Sequence, residues 1–305
     1  MFALLMIPGW ILGKCGRFME SAKKTLANLL TDVAMPALVL CKLLEVRRNL
    51  ISIPALLLCL LFPAVLIPLL CLITRLIWKK GTAGSAEARF CSIFPNCGFL
   101  GIPIATALYP EAPEVAVYVS VFNVLSTVLL LTLGTTILSP DQNKRSPKNL
   151  FISPVTVCAL LGFLILALDL GSYCGVLTTY TSYFAAMTVP LSMLVLGYEL
   201  CKLPLRKMIS TLTLYGVSAL KLIVSPIITL LILLLIRCTG FMDISEHLAM
   251  ALMLASGVST AASAPAMASA YGRDSSKAAI FTLGTTLIGI VILPFLGMLY
   301  QWIFF

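Results

Sequence analysis

The chain has 305 residues, 60% of them hydrophobic and only 11% charged, with a formal net charge of +9 and a mean hydropathy of +1.05. Soluble domains carry about 25% charged residues, so an ordinary soluble fold is excluded, and the roughly 10-residue alternating segments of a membrane β-barrel are absent. What is left is an all-α polytopic membrane protein, in which the basic excess marks cytoplasmic loops rather than a nucleic-acid partner.

A bilayer is crossed by about 20 consecutive apolar residues in a helix. The opening stretch MFALLMIPGWILG is apolar but lacks a basic leader and a small-residue cleavage site, which argues against a cleavable signal peptide; either the first span is short or the start lacks a few residues. From there, runs between charged or Gly/Pro-rich breaks predict ten transmembrane helices, at 2–13, 22–43, 50–78, 88–109, 114–138, 150–168, 176–199, 208–236, 247–270 and 277–304. Loops after odd-numbered spans hold sixteen Lys and Arg, against Lys42, Arg47, Arg48 and Arg237 after even ones. That asymmetry predicts that odd loops face the cytoplasm and both termini face outward. SPDQNKRSPKN (139–149) is then a cytoplasmic connector between a first five-helix repeat, 1–138, and a second, 150–305.

The halves resemble one another. With Pro103 set on Pro265, IPIATALYPEAPEVAVY (102–118) falls on APAMASAYGRDSSKAAI (264–280) without a gap, and Tyr109 falls on Tyr271. VAMPALVL (33–40) likewise aligns with MTVPLSMLVLG (187–197), Pro36 on Pro190. Five spans is an odd number, so the second copy enters the membrane from the opposite side, as in the inverted repeats of many secondary transporters.

Helix breakers gather in spans 4 and 9: Pro95, Gly98, Gly101 and Pro103 in one, Gly257 and Pro265 in the other, with Ser259, Thr260 and Ser263 between. Irregular backbone at membrane depth belongs where it lines a cavity or is buried in protein. These spans are therefore expected to be Pro-broken crossover helices whose second halves start after Pro103 and Pro265 and turn positive dipole ends to a shared site. Asn96, Ser259, Thr260 and Ser263 would add hydrogen bonds to an anion there. Asn123 and Thr285, equivalent at the same offset, are cavity-lining candidates, with interhelical bonding as the plainer role.

Two ionisable residues lie at costly depth, Asp32 in span 2 and Lys221 in span 8. Asp32 could carry a coupling proton. Lys221 could attract an anionic substrate or neutralise Asp32, and a structural pair or a snorkelling lysine is the alternative. The ten cysteines form no CxxC pair and His247 is the single histidine, so neither a metal site nor another cofactor is expected.

PNCGFLGIPIATALY (95–109), VPLSMLVLGYEL (189–200), ALKLIVSP (219–226), SAPAMASAYGRDSSKA (263–278) and TTLIGIVILP (285–294) resemble the auxin efflux carrier family, specifically its bacterial branch described as malate or malonate permeases. The resemblance runs across both halves. It implies ten spans in two inverted repeats crossing at Pro103 and Pro265, and organic-anion transport by elevator-like motion of a transport domain against a scaffold. It also implies that Asn96 and the crossover helix ends hold a substrate carboxylate. Bile-acid sodium symporters and sodium/proton antiporters have a similar fold. The long cytoplasmic loop of the plant carriers is missing here, and Asp32 matches no family motif.

The leading reading is a secondary transporter of small organic anions such as dicarboxylates, in the inner (cytoplasmic) membrane. Coupling to H+ or Na+ and a homodimeric state stay open. A cation- or proton-coupled antiporter of related fold would want paired carboxylates at the crossover, where none lies. An enzyme would want an intramembrane catalytic motif, and none is present. A non-transporting membrane sensor is the remaining alternative.

Overall fold

The computed structural model describes residues 2–45, 52–79, 84–139, 154–168, 170, 173–202, 208, 210–240 and 242–304. From residue 140 on, the connector lies outside these, as do Arg47, Arg48, Lys80, Arg206 and Lys207. Among the described residues there is no strand. The helices are α1 (Phe2–Lys14), α2 (Glu20–Leu29), α3 (Met35–Glu45), α4 (Ile53–Ile77), α5 (Ser85–Ile93), α6 (Ile102–Leu108), α7 (Pro113–Leu129) and α8 (Thr135–Leu138). They continue with α9 (Pro154–Ala167), α10 (Gly175–Ala185), α11 (Thr188–Lys202), α12 (Leu212–Ala219), α13 (Ser225–Thr239), α14 (Glu246–Gly257), α15 (Ala264–Ala270) and α16 (Ser275–Phe304).

Among the described residues, four stretches are long and apolar enough to cross a membrane: Ile53–Ile77, Pro113–Leu138, Leu212–Thr239 and Ser275–Leu293. The chain is a multi-pass membrane protein. α4 shows how its surface differs from a soluble one. Ile53, Leu57, Leu61, Val65 and Leu69 recur every four residues and are exposed, while Ala55, Cys59, Phe62, Leu66 and Leu70 are buried on the opposite stripe. Both faces are apolar because one meets protein and the other lipid.

Several spans carry a wide, π-helical turn, and three of these have one cause. The turns at Leu30–Ala34, Cys97–Gly101 and Leu220–Val224 are each followed, two residues on, by a proline: Pro36, Pro103 and Pro226. Proline has no N–H to return to the carbonyl four residues back, and its ring crowds that carbonyl. The chain widens instead, and the residue before each proline bonds one place further back, as Ile102 N–H does to the Cys97 carbonyl. Pro103 therefore does not break span 4, as the sequence led us to expect. It sits second in α6, and the unwound backbone lies earlier, at Phe94–Asn96, where Pro95 stands.

The helices pack in two groups. α1, α2, α3, α9, α10 and α11 lie mainly against one another, α4–α8 and α12–α16 form the second group, and the two meet chiefly along α3 and α7. The tightest contact of the first group is α1 on α11. A Cβ on Gly9 would fall 2.2 Å from the Leu194 carbonyl oxygen, and one on Gly197 would fall 2.0 Å from that of Met6. Only glycine lets these backbones touch, the small-residue logic of helix pairs in lipid.

Candidate substrate site

The second group holds both broken spans, and their unwound segments touch. Phe94–Asn96 runs antiparallel to the segment after α14, bridged at Pro95 and Thr260. Asn96 N–H donates to the Ser259 carbonyl at 2.7 Å, and Ala261 N–H donates to the Phe94 carbonyl at 2.9 Å. Breakers 160 residues apart in the sequence thus form one crossing, with Asn96, Ser259 and Thr260 all buried.

A helix that stops inside the protein leaves carbonyls to satisfy, and side chains do so at both ends. At α5, the Thr260 hydroxyl donates to the Cys91 carbonyl at 2.6 Å and the Lys221 ammonium to that of Ile93 at 3.2 Å. At α14, the Cys97 thiol donates to the Ala255 carbonyl at 3.4 Å and the Ser225 hydroxyl to that of Ser256 at 3.0 Å. Each unwound segment caps the other's incoming helix. Lys221 and Ser225, one turn apart on span 8, supply one cap to each. A cation at a helix C-terminus also complements its dipole, and Lys221 is only 1% exposed.

α16 secures the second segment. Thr260 N–H donates to the Thr285 hydroxyl at 3.2 Å, and the Ser259 and Thr286 hydroxyls share a bond of 3.0 Å. Asn123 of α7 stands beside the first segment, its amide nitrogen 3.8 Å from where a Gly98 Cβ would lie, with Met35 of α3 at 3.5 Å. A Cβ on Gly98 or Gly101 would make ordinary contacts, so neither glycine is demanded by crowding.

One group at the crossing is unsatisfied. Asn96 begins the restarted helix, and its carbonyl accepts from Leu100 and Gly101. Its side chain does not cap the helix, although asparagine is a preferred cap. The amide nitrogen is buried without an acceptor among the described residues, and the residue is 3% exposed. A buried donor without a partner costs about 1–3 kcal/mol, so its retention calls for a ligand that accepts.

Pro265 is second in the short helix α15, and Ser263 just before it is exposed. Asp32 is exposed on the π-helical turn of span 2, which packs with the first group of helices. Lys221 is buried and its hydrogen bond goes to the Ile93 carbonyl. A groove of about 490 Å³ between Leu12, Phe18, Leu26 and Leu194 also belongs to the first group and touches none of these residues. Sequence reasoning left out Cys97 and Ser225 as contributors. Their signal was proximity to a break or to Pro226, which identifies no partner.

Residues 2–149 match the model of a family described as membrane transport protein. That match lies in the N-terminal part of the chain and takes in just under half of it. A protein of Methanothermobacter thermautotrophicus, named as an uncharacterized transporter, is 27% identical over 239 residues, covering 73% of each chain. The resemblance to auxin efflux carriers is borne out at the level of the family, and membrane transport is the function that both comparisons support.

Proposed function

We propose that the protein is a secondary transporter, a permease carrying small organic anions such as dicarboxylates across the cytoplasmic membrane by alternating access. The observation that carries this reading is the buried, unpaired amide donor of Asn96 beside the crossing. A carboxylate oxygen is a charged acceptor, and hydrogen bonds to charged groups are the stronger kind. Asn123, whose amide nitrogen lies 3.8 Å from where a Gly98 Cβ would be, is a second polar side chain next to that helix start. The turn at Cys97–Gly101 opens a helix whose positive end favours an anion. A cation antiporter would need acidic groups here, and residues 94–103 and 257–265 contain none.

Ten spans in two inverted repeats, with both termini outside, complete the reading. The packing supports it: the first group takes predicted spans 1, 2, 6 and 7, and the second takes 3, 4, 5, 8, 9 and 10, the same choice from each half. Such a division suits a fixed scaffold and a moving unit that carries the crossing. Lys221 serves as charge compensation for the α5 end, and Asp32 stays the candidate for a coupling proton.

The test is uptake of labelled malate, malonate and aromatic carboxylates by proteoliposomes under imposed proton or sodium gradients. Asn96→Ala removes a bond to charge worth about 1.5–3 kcal/mol, so substrate affinity should fall about 10- to 100-fold. Unchanged affinity would remove Asn96 from the site, and absence of flux for every carboxylate would remove the anion reading.

A further inference from the structure

The geometry points to an anionic-lipid site on the first group of helices, in the groove of about 490 Å³ that α1, α2 and α11 form. α1 ends in a left-handed turn at Gly16, whose φ is +68°. Gly16 N–H returns to the Gly13 carbonyl and Arg17 N–H to that of Leu12, the paired bonds that stop a helix and reverse the chain. The reversal brings Arg17 and Phe18 to the groove beside Leu12. Phe18 is held there by the Tyr198 ring of α11, with ring centroids 4.6 Å apart. Leu12, Phe18, Leu26 and Leu194 give the groove an apolar wall. Arg17, Ser21 and Thr25 line it as well, all three exposed. No acidic residue lines it.

A lining that is apolar along one wall and cationic at Arg17 suits an occupant with an apolar chain and an anionic head. The acid nearest in sequence, Glu20, already bonds Lys23 and Lys202. Arg17 and Lys14 form no ion pair among the described residues. Lys14 instead lies over the Trp10 ring, 5.9 Å from its centroid. Tryptophan and basic residues mark the membrane–water boundary, and the charge asymmetry assigns this loop to the cytoplasm. Basic pockets between helices on that side hold the headgroups of anionic lipids. The occupant is therefore an anionic phospholipid, its acyl chain along the leucines and its phosphate on the Arg17 fork, which matches phosphate oxygens two at a time. The site shares no residue with the crossing and stands whether or not the carrier moves dicarboxylates.

The test is binding of phosphatidylglycerol, phosphatidylcholine and glycerol 3-phosphate to the full chain in detergent, read as lipid retained in native mass spectra and as a rise in Tm. Phosphatidylglycerol at a hundredfold over its dissociation constant should raise the wild-type Tm by about 5 °C or more. Phosphatidylcholine should raise it far less, and glycerol 3-phosphate, a headgroup without chains, not at all. Arg17→Gln should weaken phosphatidylglycerol about tenfold or more and leave phosphatidylcholine as in wild type. Thr25→Trp fills the groove and should weaken both lipids. Both residues are exposed, so both variants should keep the wild-type Tm without added lipid. Equal binding of the two lipids by wild type, unchanged phosphatidylglycerol affinity in Arg17→Gln, or a rise with glycerol 3-phosphate as large as with phosphatidylglycerol overturns the site. Lipid binding intact in Thr25→Trp overturns it too, and a changed oligomeric state in that variant would then mark the groove as a seam between two copies.

Discussion

The Lys221 ammonium donates to the carbonyl of Ile93 at 3.2 Å, so a lysine midway along one span closes the broken end of another. The bond sits where a cation is expensive, yet it satisfies a carbonyl that has lost its helical partner. Lys221→Met keeps the volume and removes the donor. The buried carbonyl then costs about 1–3 kcal/mol, a fall in Tm of about 2–4 °C per kcal/mol for a chain near this size. Lys221→Gln, which keeps a donor, should recover part of the loss. A Tm for Lys221→Met equal to wild type would mean that the ammonium contributes nothing to holding α5.

The crossing tests the paired caps in the same way. Thr260→Val deletes the hydroxyl that bonds the Cys91 carbonyl at 2.6 Å but leaves the backbone bridge to Pro95 intact. It should destabilise by about 1 kcal/mol and leave substrate binding close to wild type. Thermal unfolding and substrate affinity, measured on the same preparation, separate the two effects.

Much of this architecture was legible in the sequence, and the parts that were not share a reason. Apolar runs outline the helices, because lipid requires apolar residues on both faces of a span such as α4. Breakers at 95–103 and 257–265 marked the crossing, because their backbone must be satisfied somewhere. Where the chain opens was misread, since Pro103 reads as the stronger breaker while the fold absorbs it in a widened turn and unwinds at Pro95. The partner of Lys221 was illegible, because nothing local says which carbonyl 128 residues away will face it. The glycines of α1 and α11 look like ordinary membrane glycines until the two backbones are placed together.

Those glycines give the largest expected loss of stability. Gly197→Leu and Gly9→Leu would each drive a side chain into a backbone carbonyl about 2 Å away, and backbone cannot yield as a flexible side chain can. Both variants should fail to give folded protein, or should lose well over 3 kcal/mol by analogy with overpacked cores. Gly175→Ala is the control, since nothing lies within 4 Å of its Cβ. Yield of monodisperse protein on size-exclusion chromatography reads out the difference.

Glu20 predicts an acid-sensitive contact between the two halves. It bonds Lys202 first and Lys23 second, and these hold its carboxyl down at about 2 from an ordinary 4.5. The folded value is depressed, so the stabilisation is complete above about pH 4.5 and is lost as pH falls through about 2. Glu20 is 60% exposed, so solvent screening limits the pair to about 1 kcal/mol or less. Wild type should exceed Glu20→Gln in Tm at pH 6, the gap should close toward pH 2, and 1 M salt should narrow it. A gap independent of pH would show that the carboxylate charge is not what holds α2 to α11.

The widened turn before α6 offers the sharpest separation of function from stability. Pro103 is the reason Ile102 reaches back to Cys97, and Pro103→Ala restores an N–H that can bond the Phe99 carbonyl. The turn can then tighten to an ordinary α-helix, which takes up one residue and rotates what precedes it by about 100° relative to α6. Asn96 and Gly98 sit on the rotated side, so the amide donor would no longer face its present surroundings. Removing an internal proline also relieves a helix of a strain worth about 3 kcal/mol in open helices. Pro103→Ala should therefore keep or raise the Tm while proteoliposome uptake falls at least tenfold. Pro36→Ala, which relaxes the equivalent turn away from the crossing, should change uptake far less. Equal uptake in Pro103→Ala and wild type would mean that the π-helical turn does not set the direction of Asn96.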